Sequence, residues 1–444
     1  MPISFKHKIR ISTAQAVTLG FASLILLGAV LLMLPISSKA RCVTPFHDAV
    51  FTATSAVCVT GLVVHDTASY WSLFGQSIIL ILIQIGGLGV VMVAVLFFIM
   101  SGRKISLMQR NAMQETLAAP RIGGIVRMTG FILRATIVIE AVGAVMLMPR
   151  FCSDYGPKGV WMAVFHSISS FCNAGFDIMG TKAHPYQSLT SYGGSFSVNA
   201  VIMLNIVTGG IGFLTWDDLI QNRLHYKKYR LQTKVIVITT FFLIIIPALF
   251  FFFNEYSSVH IKERVFLSLF QSVTTRTAGF NTADFSEMSG TGRAITVFLM
   301  LIGGSPGSTA GGVKTTTLTV LIANTVSVLR RQKSTHIFHR RVEDSALRSA
   351  STLVILYAVL FASGAAMISV REGYNLGTCL FETASAIGTV GLTLGITPHL
   401  GTFSQAILIM LMFFGRVGIL TLFYAAIKTK PELSKAPAER ISVG

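Results

Sequence analysis

Long apolar runs alternate with short, hydroxyl-rich segments along nearly the whole chain. The runs that read as membrane spans are Thr13–Leu34, Leu73–Met100, Thr129–Met148, Ser197–Leu214, Val235–Phe253, Ala294–Ile302, Leu353–Val370 and Phe403–Ile427. A helix needs about 20 apolar residues to cross roughly 30 Å of hydrocarbon, and most of these runs supply them. The first run carries a basic flank (Lys6, Lys8, Arg10) but is too long for a secretory h-region, so it reads as the first span. Between paired runs lie four segments of one kind: Phe51-TATSAVCVTGL, Phe165-HSISSFCNAGF, Phe270-QSVTTRTAGF and Phe381-ETASAIGTVGL. Each opens on Phe, continues through small and hydroxyl residues, and closes on Gly followed by Leu or Phe. They are too short and too polar to cross a bilayer.

These segments mark an internal repeat. Their glycines, Gly61, Gly175, Gly279 and Gly391, are 114, 104 and 112 residues apart. A second glycine signature follows each one: Gly86-Gly-Leu-Gly89, Gly209-Gly-Ile-Gly212, Gly303-Gly-Ser-Pro-Gly307 and Gly415-Arg-Val-Gly418, at offsets of 25, 34, 24 and 24 residues. The second offset is longer because of a polar insertion around Lys182–Ser191. The expected organisation is four units of span, half-buried loop and span, over 1–100, 101–220, 221–332 and 333–430, followed by a tail at 431–444. Eight spans return both termini to one side. The predicted fold is an all-α membrane protein with four membrane–pore-loop–membrane repeats around a pseudo-four-fold ion pore.

Composition supports the membrane class. Of 444 residues 52% are hydrophobic and only 12% charged, so soluble globular and disordered classes are excluded. The net charge of +18 reflects scarce acids, with 36 Lys or Arg against 18 Asp or Glu. With the N-terminus inside, segments 1–12, 101–128, 216–234, 330–348 and 428–444 hold 23 basic and seven acidic residues, a net +16. The opposite face holds nine of each and is neutral. That asymmetry predicts cytoplasmic termini and a basic inner face toward anionic lipid or an acidic partner. The five scattered cysteines suggest neither a metal site nor a disulfide framework.

Backbone leaves helical geometry at membrane depth only where protein buries it or it lines a watery cavity. Four short helices descending from the leading phenylalanines, each followed by an extended ascent to its glycine, would ring one axis with carbonyls. Such a ring replaces the hydration shell of a cation. Glycine suits the turn because it accepts backbone angles that a Cβ forbids. The helix C-termini would add partial negative charge toward the axis.

The four strands read Val59-Thr60-Gly61, Asn173-Ala174-Gly175, Thr277-Ala278-Gly279 and Thr389-Val390-Gly391. In this setting the chain resembles the Trk/Ktr/HKT superfamily of potassium transporters over essentially its full length, and within it the bacterial Ktr-type membrane subunit. The resemblance implies a potassium filter at the backbone carbonyls of those twelve residues, a homodimer in the bacterial cytoplasmic membrane, and a cytosolic ring of nucleotide-binding regulatory subunits. In this superfamily a serine at the first filter glycine accompanies sodium transport, so Gly61 favours potassium. With one glycine per strand, fewer ion sites and looser rejection of sodium are expected than in a filter of GYG type.

The third unit departs from the pattern. Gly303, Gly304, Ser305, Pro306, Gly307, Gly311 and Gly312 lie within ten residues of its second span. Proline removes a donor and glycine disfavours helix, so an intramembrane loop is expected at 303–312, below the filter. It is either a gate, as the resemblance implies, or a kinked packing element. Arg416 stands where the other units carry Gly87, Gly210 and Gly304. A charge at that depth needs a cavity or a partner. It is either an electrostatic barrier under the filter or a clamp on loop carbonyls. Lys314 is read as snorkelling toward the cytoplasm or meeting a regulatory subunit. The polar residue after each leading Phe (Thr52, His166, Gln271, Glu382) is expected to bond to nearby backbone. Arg276 and Glu382 are a candidate ion pair, Cys58 and Cys172 packing residues, and Asp177 a cation-attracting group at the mouth.

An enzyme would need a nucleophile and base at membrane depth, and the spans offer Glu140 alone. Gly307–Thr315 reads GSTAGGVKT and lacks the ending of a Walker motif, so no nucleotide or other cofactor is expected on this chain. Inverted repeats would suggest alternating access, whereas four repeats of one orientation favour a central pore. The expected function is regulated potassium uptake. The alternative is a sodium-coupled or sodium-permeable transporter of the same fold, with sodium either coupled or stimulatory.

Overall fold

Helices dominate the computed structural model of the chain, which describes residues 12–94, 107–117, 124–223, 225–426 and 439. In chain order the principal helices are α1 (Thr13–Met33), α2 (Phe46–Val57), α3 (Leu73–Leu88), α4 (Leu107–Leu117), α5 (Ile125–Tyr155), α6 (Lys158–Phe171), α7 (Phe196–Gly210) and α8 (Phe213–Asn222). They continue with α9 (Leu231–Phe250), α10 (Ile261–Thr274), α11 (Gly290–Leu301), α12 (Thr315–Leu329), α13 (Asp344–Glu372), α14 (Leu376–Gly388), α15 (Thr402–Val417) and α16 (Ile419–Ala426). A hairpin of β1 (His336–Ile337) and β2 (Arg340–Arg341) joins α12 to α13.

Four helices, α1, α5, α9 with its extension to Glu255, and α13, are long and apolar enough to cross a membrane unbroken. Their outward faces carry Leu26, Leu27, Val138, Phe241, Phe242, Ile355 and Val359, all exposed. The interior is more polar than that shell: Thr54, Ser55, Ser169, Ser170, Thr274, Thr275 and Ser385 are fully buried. An apolar exterior around a hydroxyl-rich interior is what hydrocarbon solvent selects.

The second apolar runs of the first, second and fourth units are not single helices. The chain predicts continuous spans there, but α3 stops at Leu88 and Gly89 adopts φ +90°. Helices α7 and α8 meet at 98°, and α15 and α16 at 93°. Gly212 and Gly418, both at φ +91°, sit at those two bends. In the third unit α11 ends at Leu301, and a loop with Gly307 and Gly312 at positive φ precedes α12. Hydropathy registers apolarity but not the backbone angle, so it merges both limbs into one run. Residues 95–100 of the predicted second span lie outside the described residues. By length and composition, the described helices provide four spans, or six if each bent pair counts as one.

The leading phenylalanines Phe51, Phe165, Phe270 and Phe381 are fully buried in the short helices α2, α6, α10 and α14. Each short helix packs on the long helix before it: α2 on α1, α6 on α5, α10 on α9 and α14 on α13. Contacts between units also run in sequence. Helix α3 meets α6, α7 meets α10, α11 meets α14, and α15 returns to α2. This circuit brings the C-terminal ends of the four short helices together.

Candidate functional site

The four glycine strands meet at the centre of that circuit. A Cβ placed on Gly61 would lie 2.5 Å from the Ala174 carbonyl oxygen, and one on Gly175 would lie 2.8 Å from Gly279 Cα. A Cβ on Gly279 would overlap the Val390 carbonyl, and one on Gly391 the Thr60 carbonyl. The neighbours run 61, 175, 279, 391 and back to 61, so the strands form a closed ring. No room remains between them for a side chain.

Backbone sign alternates along every strand. Val59, Asn173, Thr277 and Thr389 have φ of +57°, +58°, +65° and +52°, and the glycines two residues later have +93°, +67°, +79° and +92°. The residues between them, Thr60, Ala174, Ala278 and Val390, are not left-handed. In an extended strand successive carbonyls alternate sides, whereas alternating φ sign turns them to one side. The left-handed region is costly for β-branched residues such as Val59, Thr277 and Thr389. Such strain persists only where surrounding structure enforces it, and it concentrates at functional sites.

Two repeated hydrogen bonds enforce it here. On the inner leg, the Gly61 and Gly391 amides donate to Ser55 Oγ and Ser385 Oγ, both at 3.0 Å. Ser169 Oγ donates to the Phe176 carbonyl at 2.7 Å, and Thr274 Oγ1 donates to the Phe280 carbonyl. On the outer leg, the polar residue after three of the four leading phenylalanines bonds to backbone twelve positions on. The Ile178 amide donates to His166 Nε2 at 3.4 Å, Gln271 Nε2 donates to the Ala283 carbonyl at 3.1 Å, and the Leu394 amide donates to Glu382 Oε1 at 3.0 Å. The expectation that this slot bonds to backbone holds in three units. Ser55, Ser169, Thr274 and Ser385 were not singled out from sequence, although their offsets of six, six, five and six residues from the glycines were available. Ser385→Ala removes a hydroxyl acceptor from a buried amide, which typically costs ~1–3 kcal/mol. We expect a lower midpoint of thermal unfolding in detergent.

Above the ring is a cavity of about 130 Å³ lined by all four glycines and by Asp66, Asp177, Asn281, Thr393 and His399. Asp66 accepts from the Ser69 and Tyr186 amides at 2.7 and 2.9 Å, and Asp177 accepts from the Met179 amide at 3.0 Å. Asp177 therefore lines the same cavity as the four glycines.

Below the ring runs the loop between α11 and α12. Its ends pair: Gly303 N donates to the Val313 carbonyl at 2.8 Å, and Ser305 Oγ lies 3.2 Å from Thr315 Oγ1. The Ser305 and Thr309 amides donate to the Gly210 and Gly209 carbonyls at 2.9 and 3.2 Å. Phe213 N donates to the Gly307 carbonyl at 2.8 Å. The loop thus docks into the bend between α7 and α8. A Cβ on Gly311 would strike the Thr389 side chain, which places the loop directly against the fourth strand.

Arg416, at the C-terminal turn of α15, donates from Nη1 to the Thr309 carbonyl and from Nη2 to the Gly86 and Gly87 carbonyls, the last at 2.9 Å. It bridges the loop to the break after α3. It also lines a cavity of about 360 Å³ with Gly87, Ser308, Ala310, Lys314 and Tyr357.

Two sequence expectations need correction. Lys314 does not snorkel away: its Nζ folds back to the Ala310 and Gly311 carbonyls at 2.8 and 3.2 Å, because the loop ends leave those acceptors facing it. Arg276 and Glu382 do not pair. Glu382 is committed to Thr393, Leu394 and Thr397. Arg276 is buried, and among the described residues its Nε and Nη2 have no hydrogen-bond partner. Equivalent positions in adjacent units hold different neighbours, and equivalence alone does not bring side chains together. Cys58 and Cys172 are buried free thiols, and the Cys172 thiol lies 3.5 Å from Gln84 Oε1.

The chain as a whole has counterparts among known proteins. A family model described as "TrkH: Cation transport protein" matches residues 7–435. The chain belongs to this family. It is 39% identical over 443 residues to the Ktr system potassium uptake protein B of Bacillus subtilis, covering 98% of each chain. It is 38% identical over 448 residues to the potassium/sodium uptake protein NtpJ of Enterococcus hirae, again covering 98% of each. Its fold is similar to the crystal structure of the potassium transporter TrkH from Vibrio parahaemolyticus, with a TM-score of 0.75, 19% identity, and coverage of 94% of this chain and 85% of that one. The Trk/Ktr resemblance drawn from four glycine strands therefore holds over the whole chain. As a TrkH-family member it is a multi-pass membrane protein of cation transport, and its described apolar helices fit that class.

Proposed function

We propose that this TrkH-family chain takes up potassium across the bacterial cytoplasmic membrane through the ring formed by the strands at 59–61, 173–175, 277–279 and 389–391. The observation that carries the reading is the closed circuit of four glycines with alternating backbone sign. It turns a column of carbonyls to one side of each strand, as an ion stripped of water requires. Each unit then contributes span, pore loop and broken span, over 1–100, 101–220, 221–332 and 333–430, with the tail at 431–444. The eight spans leave both termini in the cytoplasm, in keeping with the basic inner face.

The loop at 303–312 and Arg416 form the gate beneath the ring. Opening requires the loop to leave the bend between α7 and α8 and to break the Arg416 bonds. The chain works as a homodimeric pore subunit. A separate cytosolic nucleotide-binding ring regulates it, in line with the "Ktr system" names of its relatives. Sodium permeation is the second reading. It is favoured by the single glycine in each strand and by the potassium/sodium name of the Enterococcus hirae relative.

The test is flux in liposomes containing the purified chain. Potassium is expected to move down its own gradient with no sodium present. Flux of sodium in preference to potassium, or potassium flux that requires a sodium gradient, would overturn the filter assignment.

A further inference from the structure

The connection between α12 and α13 is only fourteen residues, yet it folds into a hairpin. His336 pairs with Arg341 and Ile337 with Arg340, leaving Phe338 and His339 as a two-residue turn. Both turn residues have positive φ, +48° and +62°. Turns of this type select Asn, Asp or Gly, because a bulky side chain is strained in the left-handed region. An aromatic residue held there at the tip, 45% exposed, is an outlier that invites a functional account.

The hairpin is also held against an apolar helix. Thr335 Oγ1 donates to Asn324 Oδ1 at 3.0 Å, one and a half turns inside α12, and Gln332 N donates to the Ser327 carbonyl at 2.9 Å. The flank of α12 beside it is openly apolar: Val328 is 64% and Leu329 79% exposed. The next residues are Arg330 and Arg331, followed by Lys333, His336, His339, Arg340 and Arg341, all exposed. Arg341 is paired with Asp344 at 3.2 Å. Among the described residues no ion pair reaches Arg330, Arg331, Lys333 or Arg340.

We propose that this hairpin is an anionic-phospholipid site: Phe338 seats at the boundary of headgroup and acyl chain, and Arg330, Arg331, Lys333 and Arg340 bind the phosphate groups around it. An apolar helix face running directly into unpaired cations, with an aromatic at the tip, matches the layering of a bilayer surface. A protein docking site would not need the apolar flank of α12. The proposal is independent of the filter assignment, and symmetric vesicles make it independent of orientation.

Two measurements on the full-length chain test it. Native mass spectrometry of protein extracted from phosphatidylethanolamine–phosphatidylglycerol membranes reads retained phosphatidylglycerol. The R330Q/R331Q/K333Q/R340Q variant is expected to bind it at least about tenfold more weakly, since all four cations that attract the phosphate groups are removed together. R340Q alone gives a smaller loss of the same sign if the quadruple variant folds poorly. In the second measurement, F338W in vesicles of brominated phosphatidylglycerol is expected to gain quenching relative to the wild-type chain. Unchanged lipid retention in both charge variants, or no added quenching at F338W, would overturn the proposal. So would lipid retention that stays intact while a copurifying acidic soluble protein is lost, since that outcome makes the hairpin a protein-docking element.

Discussion

Gly61→Ser is expected to reduce the potassium-to-sodium flux ratio by at least about tenfold, a difference of ~1.4 kcal/mol between the two ions. The reason is spatial and conformational at once. A Cβ at residue 61 would come within 2.5 Å of the Ala174 carbonyl oxygen and 3.0 Å of Gly175 Cα. Residue 61 also holds φ +93°, which a serine adopts only with strain. The neighbouring strand must move, and its carbonyls leave the positions that the proposed filter uses to replace potassium's hydration shell. Because the ring is closed, displacement at one glycine passes to the next. Gly391→Ser is expected to be at least as severe, since its Cβ would overlap the Thr60 carbonyl. The check is paired flux of potassium and sodium in liposomes for each variant. A Gly61→Ser protein with wild-type selectivity would separate the ring from ion discrimination.

The second large effect is expected at Arg416. Arg416→Ala removes three hydrogen bonds to the Thr309, Gly86 and Gly87 carbonyls. Hydrogen bonds from charged donors contribute roughly 1.5–3 kcal/mol each. The substitution also takes a fixed positive charge from the cavity wall under the ring. Both changes act in the same direction. The loop loses its tie to the first unit, and the barrier to a cation below the filter falls. Basal potassium flux without any regulatory subunit is expected to rise several-fold. Arg416→Lys separates the two contributions, because lysine keeps the charge but cannot span the same acceptors with a planar fork. Flux restored by lysine assigns the role to charge, and continued leak assigns it to the carbonyl clamp. An Arg416→Ala protein with unchanged flux would remove Arg416 from gating.

Much of this was legible in the chain. The repeat, the four glycines and the glycine-rich interruption of the third unit are periodic features, and periodicity survives in one dimension. So do the apolar runs and the charge asymmetry. The breaks in the second apolar runs were legible only as glycines, because a left-handed backbone angle leaves hydropathy unchanged. The hydroxyls at Ser55, Ser169, Thr274 and Ser385 were hidden differently: buried serine and threonine are common filler between small residues, and only the observed bonds set them apart.

What the sequence by itself determined is a pattern: long apolar runs, and four similar Phe-to-Gly segments recurring at nearly even spacing. Those properties depend on composition and spacing alone. The tertiary structure decided which neighbours meet. It closed the ring of Gly61, Gly175, Gly279 and Gly391, set Val59, Asn173, Thr277 and Thr389 in a strained alternation, and gave Arg416 to Thr309, Gly86 and Gly87. It also turned Lys314 back onto its own loop and kept Glu382 from Arg276. Pairing across hundreds of residues depends on how helices pack around the axis, and no local pattern encodes that packing.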